Sequence, residues 1–121
     1  MKVKYALIAT ATIMISIIAQ GARATPVDLS TYADANGWIN VQTLTCDQLA
    51  NTWQQDADFL TVWYSGWYNG LAKRHYLNIQ RVKKAEHEVI VYCKAHPQLR
   101  IIQAIDVVFK DMRKQMGIKM K

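Results

Sequence analysis

The chain has 121 residues, of which 51% are hydrophobic and 20% are charged, a composition typical of one globular domain and not of a disordered or low-complexity segment. The formal net charge is +6 at pH 7, but it is unevenly distributed. Residues 25–72 contain five aspartates and no lysine or arginine, whereas residues 73–121 contain 12 basic and four acidic side chains, so these halves carry −5 and +8.

The first 24 residues have the three parts of a secretory signal peptide. Lys2 and Lys4 give a basic start, residues 6–19 are uncharged and mostly apolar, and residues 22–24 form an Ala-x-Ala cleavage site. The apolar run is shorter than the roughly 20 residues that span a bilayer as a helix. We therefore predict a signal peptide over residues 1–24 that is cleaved after Ala24, the alternative being a retained membrane anchor.

The predicted export affects whether the only two cysteines of the sequence, Cys46 and Cys93, are bonded. In an oxidising compartment, two cysteines in a small domain favour a disulfide. Closing a loop of this length would stabilise the fold by roughly 4 kcal/mol in the chain-entropy model. We predict that these cysteines form a structural disulfide.

Residues 25–44 carry a turn signal at Asn36-Gly37 and are predicted to be mostly irregular, with one short helical turn. Thr45 and Gln48 then fit a capping box, which predicts a short first helix ending near Trp53. Residues 45–112 are predicted to form the helical domain, and residues 113–121 a basic tail.

The second predicted helix follows Asp56 or Asp58, either of which can cap it. Its apolar residues recur at spacings of three and four: Phe59, Val62, Trp63, Trp67 and Leu71. Gly66 and Gly70 lie one turn apart on this helix, and each costs about 1 kcal/mol against alanine. We expect another backbone to cross closely at these glycines.

Asn78 is the predicted cap of a third helix, which Pro97 ends. Pro97 is also suited to be the first residue of a fourth helix. That helix has a wide apolar stripe, with Ile101 and Val108 widening the series Leu99, Ile102, Ile105, Phe109 and Met112. With no convincing strand, the predicted fold is all-α, a small four-helix, bundle-like domain stapled by one disulfide.

The aromatic residues of the second helix are the candidate interaction surface. Aromatic side chains at helical spacing usually belong to a core, so Phe59 and Trp63 are expected to be buried. Tyr64, Trp67 and Tyr68 cover too much of the helix circumference for one core face. Some of these three are therefore expected to be exposed or covered by a partner. We predict that the aromatic set supplies the partner surface and, once freed, the client surface: Phe59, Trp63, Tyr64, Trp67 and Tyr68.

Sequence motifs for catalysis or for binding a metal or cofactor are weak in this chain. His75, His87 and His96 include no i, i+4 pair on one helix, and Cys93-x-x-His96 is a single half-motif. Phosphate-loop, nucleophile-elbow and haem-attachment motifs are missing. We expect no catalysis, no metal, no cofactor and no nucleic-acid partner.

Three segments together resemble the HdeA/HdeB family of periplasmic acid-stress chaperones. They are residues 40–46, the pattern Trp63-x-x-Gly66-Trp67-Tyr68-x-Gly70, and residues 89–97. The likeness runs from about Val41 to Phe109 and is closer to HdeB because of Tyr92-Cys93-x-x-x-Pro97. The longer segment before Cys46, the additional tryptophans and the basic tail depart from the family pattern.

This resemblance implies a small helical periplasmic protein with one disulfide, often a homodimer near neutral pH. Such a protein binds acid-denatured client proteins without ATP and is not an enzyme. Two alternatives remain open: a secreted module that binds one specific partner, and attachment to anionic surfaces through the basic side chains of Lys110, Arg113, Lys114, Lys119 and Lys121.

A fall in pH is the predicted trigger that opens the protein. The candidate pH-sensing residues are Asp47, Asp56, Asp58, Glu86 and Glu88. The three aspartates lie near predicted helix N-termini, where the helix dipole favours a negative charge. From Thr25 onward, 12 basic and nine acidic side chains give a net side-chain charge of +3. Protonating the nine carboxylates and the three histidines raises this charge to +15. We expect repulsion to open the protein between about pH 2 and 5 while the disulfide limits the opening.

Overall fold

The computed structural model describes residues 25–117, so the predicted signal peptide and the last residues of the basic tail lie outside the described part. A 3-10 helix, Leu29–Tyr32, precedes four α-helices. These are α1, Cys46–Ala50; α2, Gln54–Leu71; α3, Ile79–Ala95; and α4, Ile101–Gln115. The described residues contain no β-strand, only isolated bridges between Val27 and Thr52 and between Thr45 and Arg100. The all-α prediction is confirmed.

The start of α1 is the predicted capping box. The Thr45 hydroxyl accepts a hydrogen bond from the backbone N–H of Gln48, and the Thr45 N–H donates to Gln48 Oε1 at 2.9 Å. The helix ends at Ala50, three residues earlier than predicted, and Thr52 turns away to donate its hydroxyl to the Val27 carbonyl at 2.8 Å. The N-terminal segment is therefore tied to the turn that follows α1.

The prediction that Asp56 or Asp58 caps α2 is wrong. Trp53 is the N-cap residue and makes no side-chain capping bond. Asp56 lies in the first turn, and its Oδ2 accepts a hydrogen bond from the backbone N–H of Leu29 at 2.9 Å. This carboxylate therefore fastens the 3-10 helix to α2.

The Asn78 cap of α3 is confirmed, because Asn78 Oδ1 accepts from the Arg81 N–H at 2.9 Å. Pro97 is not the first residue of α4, which begins at Ile101. The carbonyls of Pro97 and Leu99 instead accept hydrogen bonds from the N–H groups of Asp47 and Cys46, at 3.0 and 2.7 Å. The linker between α3 and α4 thus satisfies the free amides at the start of α1.

The core surrounds the Cys46–Cys93 disulfide, which joins α1 to α3 and confirms the predicted pairing. Both cysteines and Ile101 are fully buried. On α4 the buried face is Ile101, Ala104, Val108 and Met112, whereas Ile102, Ile105 and Phe109 are only partly buried. The buried face of α4 is therefore rotated relative to the predicted apolar stripe. The Ile101 N–H donates to the Leu44 carbonyl at 2.9 Å and fixes how α4 enters the core.

Helix α2 is the least buried of the long helices. Of its 18 residues only Ala57 is fully buried. A side-chain carbon added at Gly66 or Gly70 would meet no described atom within 4 Å, so the predicted close crossing of another backbone is wrong for the isolated chain. Within residues 25–117, no helix combines the length and apolar character needed to cross a membrane.

Reducing the Cys46–Cys93 disulfide is expected to lower the free energy of unfolding by about 4 kcal/mol, because the bond closes a loop between residues 47 positions apart. Denaturant unfolding followed by circular dichroism, with and without dithiothreitol, measures this loss. The Cys46→Ala/Cys93→Ala variant is the control, since its stability must not respond to the reductant. An unchanged unfolding midpoint on reduction, or two free thiols in the recovered protein, would contradict the prediction.

Candidate functional site

The exposed side of α2 carries a continuous apolar stripe, which we call the outer face: Phe59, Val62, Trp63, Trp67 and Leu71. Phe59 is 67% exposed, Trp63 52% and Trp67 49%. The sequence-based expectation that Phe59 and Trp63 are buried is therefore wrong in this chain. The reason is geometric: Ala57 faces the core and sets the rotation of α2, and residues 59 and 63 lie on the opposite side.

Gly66 and Gly70 belong to the same side of the helix and leave open space beside the tryptophans. A helix surface without side chains at two positions one turn apart allows a second helix or an extended segment to approach its backbone closely. The glycines thus flatten the middle of the outer face.

Tyr64 and Tyr68 lie on the other side of α2 and are half-buried. Their rings meet Phe109 of α4 edge to face, with centroid distances of 6.5 and 6.1 Å. Burial raises the pKa of Tyr64, and the nearby Tyr68 and Asp106 raise it further. The five predicted surface aromatics are therefore split: three lie on the outer face, and two connect α2 to α4.

Exposed apolar residues also lie beyond the end of α2. Tyr76 is 93% exposed and Leu77 is exposed in the connection from α2 to α3, and Ile79 is exposed at the start of α3. The sequence signal was the pair Tyr76-Leu77, two apolar residues between two predicted helices. On the other side, Trp63 and Trp67 border a cavity of about 520 Å³ that Ile39 and Ile102 also line. Apolar surface thus continues beyond the outer face in both directions.

Among the five candidate acid sensors, the structure brings together only Asp58 and Glu86. The side-chain amide of Gln54 donates to Asp58 Oδ1 at 2.8 Å and to Glu86 Oε1 at 2.6 Å, and so links α2 to α3. The Gln54 hydrogen bond, the contact with Glu86 and the charge of Lys83 lower the pKa of Asp58. Burial raises the pKa of Glu86, and the adjacent Asp58 raises it further. The two pKa values therefore move apart, and Glu86 takes up its proton at a higher pH than Asp58 does.

The remaining candidate sensors serve separate parts of the fold. Asp47 Oδ1 accepts from the Asn51 amide at 2.8 Å within α1, Asp56 holds Leu29, and Glu88 is exposed on α3. His96 stacks on Tyr92 with 4.1 Å between ring centroids. Within residues 25–117, no three His, Cys, Asp or Glu side chains are grouped so that they could hold a metal ion.

A family model described as the HdeA/HdeB family matches residues 6–103, which is most of the chain, and the chain therefore belongs to this family. The match does not separate HdeA from HdeB, so the closer likeness to HdeB stays a prediction. No curated protein and no solved structure matches the chain significantly.

Replacing Gln54 by Ala is expected to raise the pKa of Asp58 toward its ordinary value of 3.8, because the largest stabilising hydrogen bond to its carboxylate is lost. A carboxylate whose pKa is lowered in the folded state stabilises the fold at pH values above its ordinary pKa. This contribution disappears as the pH falls through the folded-state pKa. Glu86 has the opposite sign: its contribution is present below its ordinary pKa of 4.5 and disappears as the pH rises through the folded value.

Carboxyl ¹³C chemical shifts followed from pH 7 to 2 measure both titrations. Gln55→Ala, a change at the exposed neighbouring position, is the matched control and should leave the pKa of Asp58 unchanged. The same Asp58 pKa in Gln54→Ala and in the parent protein would show that the amide does not control this pair.

Proposed function

We propose that this member of the HdeA/HdeB family is a periplasmic chaperone that works without ATP, binds acid-denatured proteins and suppresses their aggregation at low pH. The observation that carries the proposal is the outer face of α2. Three large aromatic side chains stand exposed there on a helix with a single fully buried residue. Contiguous exposed apolar surface of this kind is typical of interaction sites.

The chemistry of the outer face suits unfolded clients. An unfolded segment offers apolar side chains in no fixed arrangement, so a broad aromatic surface serves it better than a few precisely placed hydrogen bonds. The exposed residues Tyr76 and Leu77 extend this surface beyond the end of α2. Tyr64 and Tyr68 would join it only if α2 moved away from Phe109.

Near neutral pH the outer face would be covered by a second copy of the chain. A stripe at spacings of three and four is the pattern with which helices pack, and Gly66 and Gly70 leave room for a close approach. A twofold pair would use the same stripe on both chains. The proposed homodimer thus protects the surface that clients use after dissociation.

Acid would separate the dimer and loosen the monomer through charge. From Thr25 onward the side-chain charge rises from +3 to +15 when nine carboxyls and three histidines are protonated. Asp58 adds a specific contribution, because its lowered pKa supplies stability that disappears in acid. The disulfide holds α1 on α3 throughout, so opening would affect α2 more than the rest of the fold.

The proposed location requires export by the predicted signal peptide and cleavage after Ala24. In this arrangement residues 25–44 form the N-terminal segment, residues 45–112 the helical chaperone domain and residues 113–121 the basic tail. No catalytic residue and no cofactor are part of the proposal.

Lowering the pH from 7 to 2 is expected to dissociate the protein, expose apolar surface and switch on protection of an acid-labile client, all between about pH 5 and 2, where carboxyls titrate. Sedimentation, fluorescence of an apolar dye and client light scattering measure these together. Titration in high salt is the control, because screening should move the opening to lower pH. Unchanged exposure and no protection over the range would leave a single-partner binding module as the better description.

Truncating the outer face is expected to weaken both activities. Trp63→Ala/Trp67→Ala should raise the dimer dissociation constant at least tenfold, since aromatic anchors of interfaces contribute about 2 kcal/mol or more. The same variant should need more protein to suppress aggregation. Trp38→Ala is the matched control, because Trp38 is 76% exposed but lies outside α2. Equal dimerisation and equal protection in the double variant and the control would remove the outer face from the proposal.

A further inference from the structure

A cavity of about 720 Å³ lies between α2, α3 and α4. Protein interiors are close-packed and contain few voids larger than a water molecule, whereas small-molecule sites usually measure about 300–1,000 Å³. This cavity lies on the inner side of α2 and shares no residue with the outer face itself, although Tyr76 and Leu77 also line it. Its volume lies within the range of small-molecule sites.

The walls of the cavity are mostly apolar. The lining runs from Leu49 and Ile101, beside the disulfide, past Ile105 and Phe109 to Met116 at the end of α4. Tyr64 and Tyr68 close one side through their edge contacts with Phe109. The end next to the disulfide is shut by buried residues, whereas the connection from α2 to α3 at the other end is exposed.

Three arginines from different segments also line the cavity. Arg74 follows α2, Arg81 is in the first turn of α3 and Arg113 is in the last turns of α4. Glu86 is the one carboxylate in the lining, and it accepts a hydrogen bond from Gln54. Within the described residues the only salt bridge joins Lys110 to Asp106, so the guanidinium groups have no carboxylate partner there. The site is thus apolar in depth and positively charged at the ends of the helices.

We propose that this cavity binds a single-chain amphiphile with an anionic head group, its hydrocarbon chain between α3 and α4 and its head at Arg74, Arg81 and Arg113. Guanidinium groups bind carboxylates and phosphates through paired, charge-assisted hydrogen bonds. Twelve residues separate Ile101 from Arg113 on α4, about 18 Å at the helical rise. An acyl chain fills half of a bilayer core about 30 Å thick, roughly 15 Å, so the lengths agree.

This site goes beyond the proposed chaperone function and does not depend on it. Client binding uses the outer face in acid, whereas the amphiphile site is complete in the closed chain at neutral pH. A chain that fills the cavity would also hold α2 against α3 and α4. Bound amphiphile is therefore expected to stabilise the closed protein by mass action.

The test is binding of hexadecanoate and of hexadecyl phosphate to the purified, disulfide-bonded protein at pH 7, below the concentrations at which these probes aggregate. The methyl ¹³C signal of Met112, a buried residue in the lining, reports occupancy of the cavity. The indole N–H signals of Trp63 and Trp67 report binding at the outer face instead. We expect the Met112 signal to shift with either anionic probe, and hexadecyltrimethylammonium to bind at least tenfold more weakly.

Arg81→Gln/Arg113→Gln is expected to weaken binding of both anionic probes about tenfold or more. Lys84→Gln/Lys114→Gln is the matched control, since it removes the same charge from the same two helices at exposed positions outside the cavity lining. All of these substitutions are near the surface, and circular dichroism checks the fold. Binding of neither anionic probe, equal binding of the cationic chain, equal weakening by the lysine control, or shifts confined to Trp63 and Trp67 would each overturn the proposal.

Discussion

The fold depends on one junction, where the disulfide between α1 and α3 meets the start of α4. Three contacts meet there: the Cys46–Cys93 bond, the Cys46 N–H to the Leu99 carbonyl at 2.7 Å, and the Ile101 N–H to the Leu44 carbonyl at 2.9 Å. Both cysteines and Ile101 are fully buried. Because a five-residue helix has little stability of its own, α1 exists only through these attachments.

Distance from this junction explains the uneven packing. Helices α3 and α4 enter it directly, so their inner faces are buried, whereas α2 reaches it only through the turn after α1. Ala57, near the start of α2, is buried, but the residues from Gly70 to Arg81 are all exposed. The described part of the molecule is therefore closed at the disulfide end and open at the other.

The two proposed surfaces lie on opposite sides of α2 and differ in charge. The outer face is apolar and uncharged, which suits a second chain or an unfolded client. The inner cavity has arginines near its open end, which suits an anionic head group. The Gln54 bridge between Asp58 and Glu86 holds the first turns of α2 on α3. The proposed effect of acid on this pair would therefore reach the helix that separates the two surfaces.

The sequence by itself determined the features that rest on neighbouring residues or on residue chemistry: the caps at Thr45 and Asn78, the all-α class and the pairing of the two cysteines. Only the tertiary structure decided how each helix is rotated against its neighbours. Periodicity shows that Phe59 and Trp63 share a face, but the burial of Ala57 turns that face outward. The roles of Asp56 and Gln54 also arise from contacts with residues distant in sequence, Leu29 and Glu86, which no local pattern specifies. The physical reason is that capping is a local hydrogen bond, whereas burial depends on which other elements compete for the same apolar surface.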